Sequence, residues 1–305
     1  MATPATSGFL NLNKPAGPSS FAIVSLVRRL TGVRRVGHGG TLDPAADGVL
    51  VLCLGQATRM TEYLMDGRKG YVARLRLGIE TDSYDALGAV LAQRDPSGVS
   101  LEDVRRALPA FTGHIRQVPP MYSALKHEGQ RLYTLARQGI EVERAPREVS
   151  IYRIDVTRWE PPECTLTVEC SRGTYVRSIA HDLGQVLGCG AHLQGLTRTG
   201  VGPFALASAV SPEGLAEAVR GRYWEALLYP LDEPILRMPA AILDGLTAVL
   251  VQDGRLCPWG ETPGAVSEPA NDDLCRAYSD EGDLVALMGY DGALRGWRPR
   301  KVFGR

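Results

Sequence analysis

No aspartate or glutamate occurs in the first 42 residues, whereas five cations do: Lys14, Arg28, Arg29, Arg34 and Arg35. The first acid, Asp43, therefore stands alone on a stretch whose charge would attract an anionic partner. No apolar run approaches the roughly 20 residues that span a bilayer. The N-terminus has no cationic segment followed by an apolar one, so a soluble, unexported, cytoplasmic protein without a membrane partner is expected. Cysteine is sparse: residues 53, 164, 170, 189, 257 and 275 form no C-x-x-C pair and read as reduced core thiols. Cys189 and His192 lie three apart, but no second pair of soft ligands has matching spacing, which argues against a metal. The glycines at 37, 39 and 40 are not followed by Gly-Lys-Ser/Thr and lack the spacing of a dinucleotide fingerprint. Phosphate-loop and nicotinamide chemistry are thereby excluded, and no internal repeat or low-complexity tract is present.

The chain has 305 residues and balances 34 cations against 34 anions. The balance conceals separate blocks, because residues 211–290 hold 14 acids against 5 bases and the last fifteen residues hold five cations against one acid. A basic working surface for a phosphate-rich polymer, joined to a solvated acidic module, fits this pattern. Beyond Pro230-Leu231-Asp232-Glu233-Pro234 the sequence breaks into short apolar pieces separated by Gly and Pro, which predicts a boundary near 235 and a small β-rich domain over 235–305. Before it, strands and helices alternate without regular βαβ spacing. An α+β catalytic domain over 1–234, built on a mixed sheet, is expected.

Taken in order, residues 9–12 read as a strand, and Ser19 or Ser20 caps a helix that Gly32 ends. The loop Gly37-His38-Gly39-Gly40-Thr41-Leu42-Asp43-Pro44 leads into the apolar run Val49–Leu54, a buried strand that would hold the loop still. A helix from Ala57 to Met65 follows. In residues 71–77, Tyr71, Ala73, Leu75 and Leu77 alternate with Arg74 and Arg76, so Tyr71 faces inward on a strand. Ser100 with Asp103 starts a helix in capping-box fashion. Residues 117–147 mix Pro119-Pro120, Tyr122, Lys126, Arg131, Tyr133, Arg137, Arg144 and Arg147. By composition they are equally a solvated insertion or an RNA-contacting arm. Strands at 149–156 and 164–170 precede Gly173-Thr174-Tyr175-Val176-Arg177, where a strand meets a helix and side chains can enter a cleft.

Asp43 by itself could be a nucleophile, a general base, a metal ligand or a loop cap. Its basic surroundings and the availability of Arg177 as a partner favour chemistry. Asp47 invites a two-carboxylate glycosidase reading, ranked low because a tight Pro-containing turn need not aim both acids at one bond. His38 is either a structural hydrogen-bonding residue or a flat ring that fills the gap left by an unstacked base. Tyr71 and Tyr175 are by default core aromatics.

The segments Lys14-Pro15 with Ser19-Ser20, the glycine loop through Pro44, Pro119-Pro120-Met121-Tyr122-Ser123-Ala124-Leu125-Lys126, Gly173–Arg177 and Gly188-Cys189-Gly190-Ala191-His192-Leu193 together resemble the TruB family of tRNA pseudouridine synthases. The resemblance spans about residues 8–205, and residues from about 236 to 303 resemble a PUA RNA-binding module. It implies a largely antiparallel central sheet of the pseudouridine synthase type. The implied reaction isomerises a uridine at position 55, in the T loop of tRNA, to pseudouridine by base flipping, without cofactor or metal. On that likeness Asp43 is the nucleophile, Arg177 its ion-pair partner, and Tyr71 the ring-stacking residue and proton acceptor. Tyr175 and Leu196 line the pocket, His38 fills the space of the flipped base, and Lys14, Arg59, Tyr122 and Lys126 contact substrate. The insertion at 117–147 becomes the arm that grips the T-stem loop. A monomer without an obligate protein partner is expected, since the guide-RNA-dependent branch of the superfamily relies on partners for placement. The alternative is a non-catalytic tRNA-binding or tRNA-folding chaperone. Gly39, Asp47, Val51 and Arg59 depart from the family pattern, which favours Thr, Thr, Pro and Lys at these positions.

Overall fold

In the computed structural model, residues 6–123, 125–258 and 269–304 are described, with Lys126 and His127 as backbone only. Strand β1 (Gly8–Lys14) runs into helix α1 (Ser20–Thr31). Ser19 caps that helix by accepting from Ala22 N, and Gly32 closes it in the left-handed conformation at φ 73°. Strands β2 (Val36–His38) and β3 (Asp47–Leu54) flank the glycine loop. The single helix expected from Ala57 is instead a 3-10 turn over Gly55–Met60 followed by α2 (Thr61–Asp66). Strand β4 (Lys69–Leu77) buries Tyr71, Ala73, Leu75 and Leu77, as its alternation predicts. The hairpin β5 (Ile79–Thr81) and β6 (Val90–Gln93) precedes α3 (Leu101–Ala107), where Ser100 and Asp103 form a full capping box.

After β7 (Gly113–Gln117), the insertion folds as a short hairpin, β8 (Lys126–His127) and β9 (Gln130–Arg131), and helix α4 (Leu132–Arg137). Strands β10 (Arg147–Glu160) and β11 (Glu163–Cys170) lead to α5 (Val176–Val186) and the long β12 (Ala191–Val201). Then come β13 (Phe204–Ala205), α6 (Pro212–Arg220) and β14 (Leu228–Tyr229). The main sheet has the order β14-β1-β3-β12-β4-β11-β10-β7, with β2 on β3 and β13 on β12. Among its described pairings only β3 with β12 is parallel, which makes the sheet mixed and largely antiparallel as expected. That parallel junction lies where the glycine loop enters β3: Thr197 pairs with Asp47 and Arg198 with Gly48. Gly48 has φ +99°, and a Cβ there would stand 2.3 Å from the Arg198 carbonyl, so only glycine fits.

The apolar run of β3 is buried on both faces, which explains its lack of alternation. Leu50, Leu52 and Leu54 pack with Ile23, Val24 and Val27 of α1 and Leu215 of α6. Val49, Val51 and Cys53 face the other way, toward Met60 and Leu64. The Tyr71 face of β4 packs with α3 and α5 through Val104, Ile179 and Leu183.

A second sheet of five strands, in the order β15-β17-β18-β19-β16, is built from β15 (Ala240–Leu243), β16 (Cys257–Pro258), β17 (Leu274–Ser279), β18 (Leu284–Asp291) and β19 (Gly296–Val302), with helix α7 (Gly245–Gln252) against it. It has its own core around Ala277, Met288, Tyr290 and Trp297. Leu287 and Phe303, however, join Val49, Val51 and Cys53 in one cluster, so this sheet covers a face of β3. All six cysteines are buried, and burial pushes Cys53, Cys164, Cys170 and Cys275 up to about 11, which keeps these thiols protonated.

Candidate active site

The glycine loop is held through its backbone. Gly39 N donates to Val51 O (2.9 Å), and the Ser20 hydroxyl brackets Leu42, donating to its carbonyl and accepting from its N–H at 2.9 Å each. Ala46 N returns to Asp43 O (3.1 Å), closing a turn around Pro44, whose carbonyl accepts from Gly17 N (2.7 Å) and Lys14 Nζ (3.2 Å). The turn leaves the Asp43 carboxylate at the surface of the loop, its side chain 40% exposed.

Beneath it lies Arg177, on the first turn of α5 and almost fully buried. Its Nε stands 3.0 Å from Asp43 Oδ2, and its Nη1 3.5 Å from Asp85 Oδ2. Nη1 also donates to Ser83 O (3.3 Å) and Nη2 to Tyr122 O (2.8 Å). The guanidinium thus joins the loop to the β5–β6 hairpin and to the start of the insertion, a forked role that suits arginine rather than lysine.

Tyr71 enters from β4 and is buried. Burial raises the pKa of its hydroxyl above the ordinary value while Arg198 pulls it back down. Tyr175, immediately before α5, is clamped by Gln117, which accepts from its N–H (2.8 Å) and donates to its carbonyl (3.0 Å). Leu196 packs against the cluster that contains Tyr71. His38 ends β2, and its Nδ1 accepts from Gly40 N at 3.3 Å. Burial, with Arg198 adding to it, lowers its pKa, so the ring is neutral at pH 7 with its proton on Nε2. Beside Tyr175 opens a cleft of about 420 Å³ that Arg147, Arg172 and His114 help to line.

Asp43 and Arg177 are therefore in contact, Tyr71 and Tyr175 both lie within reach of the Asp43 charge, Leu196 packs on the Tyr71 cluster, and His38 stands within reach of the same Arg198 as Tyr71. The other expected substrate contacts are placed differently. Lys14 is fully buried, its ammonium donating to the carbonyls of Pro15, Pro18 and Pro44. Burial pushes it down to about 8 against the attraction of Asp47 first and Asp43 second. Arg59 turns to the second sheet, donating to Val302 O and stacking over the Phe303 ring. Tyr122 donates to Asp82 Oδ2 (3.3 Å) and meets the site through its backbone carbonyl. The Lys126 side chain lies outside the described residues. His192 has both ring nitrogens engaged, by Ile79 O (3.0 Å) and Gln194 Oε1 (3.1 Å). Sequence reasoning missed Asp85 and Arg198. Arg198 had a signal: it shares the alternation of Leu196 on β12, and a cation on a buried face is unusual.

Residues 28–176 match the profile of the TruB family pseudouridylate synthase N-terminal domain, and residues 177–236 that of the tRNA pseudouridylate synthase B C-terminal domain. The chain belongs to the TruB family. A TruB relative named tRNA pseudouridine synthase B, from Dehalococcoides mccartyi strain 195, is 44% identical over 97% of this chain and 96% of its own length. One of the same name from Pseudomonas aeruginosa strain UCBPP-PA14 is 52% identical over 84% of this chain and 85% of its own. Among solved structures, that of a Cbf5-Nop10-Gar1 complex shares the fold with a TM-score of 0.76 at 26% identity, covering 98% of this chain and 85% of that one. The matched TruB profiles end at residue 236, just before β15, so the second sheet lies outside them.

Proposed function

We propose that this TruB chain isomerises uridine to pseudouridine in tRNA, at position 55 of the T loop, with Asp43 as nucleophile. The reaction breaks the N1–C1′ bond, turns the base and joins C5 to C1′, and the proton leaving C5 is balanced by one gained at N1. Nothing is oxidised or reduced overall, so the chemistry asks for a carboxylate, a proton acceptor and a site that holds a flipped base. The observation that carries the reading is the Asp43–Arg177 pair, with its carboxylate open to solvent and its cation buried. Tyr71, buried on β4, is the surface for the ring and the acceptor of its C5 proton. Tyr175 and Leu196 wall the pocket, and neutral His38 presents a flat, uncharged ring to the space the base vacates. Arg147 and Arg172, in the cleft beside Tyr175, supply charge for the RNA backbone. Residues 1–234 act as the catalytic unit and 235–305 as an RNA-binding module, and the chain works as a monomer in the cytoplasm.

The test is to incubate the purified protein alone with an unmodified T-stem loop and measure pseudouridine. Turnover is expected without a partner. Asp43→Asn should abolish it while leaving RNA affinity within about three-fold. Binding without turnover in the unaltered protein would favour a tRNA-binding chaperone, and full activity in Asp43→Asn would remove the nucleophile assignment.

A further inference from the structure

Helix α5 starts without a cap of its own. The residue at its N-cap is Tyr175, which makes no side-chain cap, whereas Ser19, Ser100, Ser211 and Asp244 cap α1, α3, α6 and α7 through their side-chain oxygens. Its partner comes from another strand. Gln117, the last residue of β7 and 3% exposed, accepts from the Tyr175 N–H at 2.8 Å and donates to the Tyr175 carbonyl at 3.0 Å. A backbone N–H and a carbonyl need an acceptor and a donor side by side, and a carboxamide supplies both. Gln117 also pairs in register with Arg147 of β10, so it stands where the two ends of the insertion meet. Arg147 and Tyr175 line the same cleft.

The residues that follow Tyr175 are fixed by other contacts. Arg177 Nη2 donates to Tyr122 O at 2.8 Å and Ser178 Oγ to Val118 O at 2.9 Å, and these fasten the first turn of α5 to the insertion without Gln117. Loss of the carboxamide therefore frees the Tyr175 peptide while the helix stays anchored. We propose that Gln117 is a positioning residue for the reaction: by holding both polar groups of the Tyr175 backbone, it sets where that ring stands in the pocket. The inference rests on the isomerase reading above, in which Tyr175 is a pocket wall. A wall held in place before RNA arrives does not have to be ordered when the uridine enters.

The experiment is a mutant cycle of Gln117→Met, Tyr175→Leu and the double variant, read as single-turnover rate, T-stem-loop dissociation constant and urea unfolding. Gln117→Met keeps the length of the side chain and removes both bonds. It should lower the rate about 30-fold with affinity unchanged within about three-fold, and lower it less than about three-fold where Tyr175 is already Leu. An unchanged rate, equal losses in both backgrounds, or a loss confined to affinity or stability would overturn the proposal. Where Tyr175→Leu leaves no rate to compare, crystal structures of the unaltered protein and of Gln117→Met decide. A Tyr175 ring displaced by about 1 Å or more, with the Arg177–Tyr122 and Ser178–Val118 bonds kept, supports the proposal. An unmoved ring, or one displaced with those bonds broken, overturns it. Where Gln117→Met does not fold, Gln117→Glu, which fills the same space and still accepts from the Tyr175 N–H, is read in the same way. Its failure to fold as well would make Gln117 a support of the fold and overturn the proposal. Failure of the isomerase reading would look different, because the unaltered protein would then make no pseudouridine while the ring still shifted in the variant.

Discussion

Arg177 lies between two carboxylates, its Nε 3.0 Å from Asp43 Oδ2 and its Nη1 3.5 Å from Asp85 Oδ2. One buried cation therefore serves an exposed acid on the glycine loop and a largely buried one that anchors the hairpin. Replacing it by lysine keeps the charge but leaves a single nitrogen to span both acids and two carbonyls. Arg177→Lys is expected to lower the single-turnover rate at least about 100-fold with RNA affinity nearly unchanged. Arg177→Met, which leaves a buried acid without its cation, should also lose about 3 kcal/mol of stability in urea unfolding.

Gly39, where the family pattern favours threonine, has a neighbour that accounts for the difference. A Cβ at 39 would stand 2.1 Å from Leu64 Cδ2 and 2.6 Å from its Cγ. Gly39→Thr should therefore destabilise by about 2 kcal/mol through overpacking. Leu64→Ala removes the clashing atoms, and the double variant should be more stable than the sum of the single changes by at least about 1 kcal/mol. Additive losses in the urea cycle would show that Leu64 is not the reason for glycine here.

Lys14 makes stability depend on pH in a stated direction. Its folded pKa is pushed down to about 8 by burial, below the 10.5 of an exposed lysine. Between these values the unfolded chain binds more protons than the folded one, so stability rises with pH across that window. The burden of the buried charge is fully present below about pH 8 and is relieved toward 10.5. Relative to Lys14→Met, the unaltered protein should gain about 2 kcal/mol between pH 7 and pH 10, measured by urea unfolding of both. A difference that stays flat over this range would mean that the ammonium keeps its proton.

The second sheet shares a core with the first, which changes what its removal should do. Phe303 and Leu287 pack with Val49, Val51 and Cys53, on the strand that follows the glycine loop. Phe303→Ala is expected to cost about 3 kcal/mol of stability although it lies far along the chain from the reacting residues. Below its melting point the rate on bound RNA should stay within about three-fold of the unaltered value. Deleting residues 236–305 should expose the Val49 face of β3 and lower the melting temperature of the remaining protein. An unchanged melt would make the two sheets independent domains.

Much of the site was legible in the sequence because it is carried by local signals. A lone acid among glycines and cations, an inward tyrosine on an alternating strand and an arginine just after a strand-to-helix turn each follow from composition or period. The caps at Ser19 and Ser100 were equally readable, since a cap is satisfied within three residues of itself. Lys14 and Arg59 show the opposite case. Both looked like substrate contacts, yet one is enclosed by the carbonyls of Pro15, Pro18 and Pro44 and the other is drawn to Val302, which lies 243 positions away in the chain.

The sequence by itself determined the element types, the inward and outward faces of the strands, the family and the loop on which Asp43 is presented. Those depend on side-chain period, turn chemistry and motif order, all of which are local. Only the tertiary structure decided that Arg198 holds the carbonyls of Gly40, Thr41 and Val49, that Asp85 shares Arg177, and that the second sheet covers β3. These relations are set by which strands become neighbours. That choice is made by burying both faces of β3 at once, a condition that residues hundreds of positions apart satisfy together and no local pattern records.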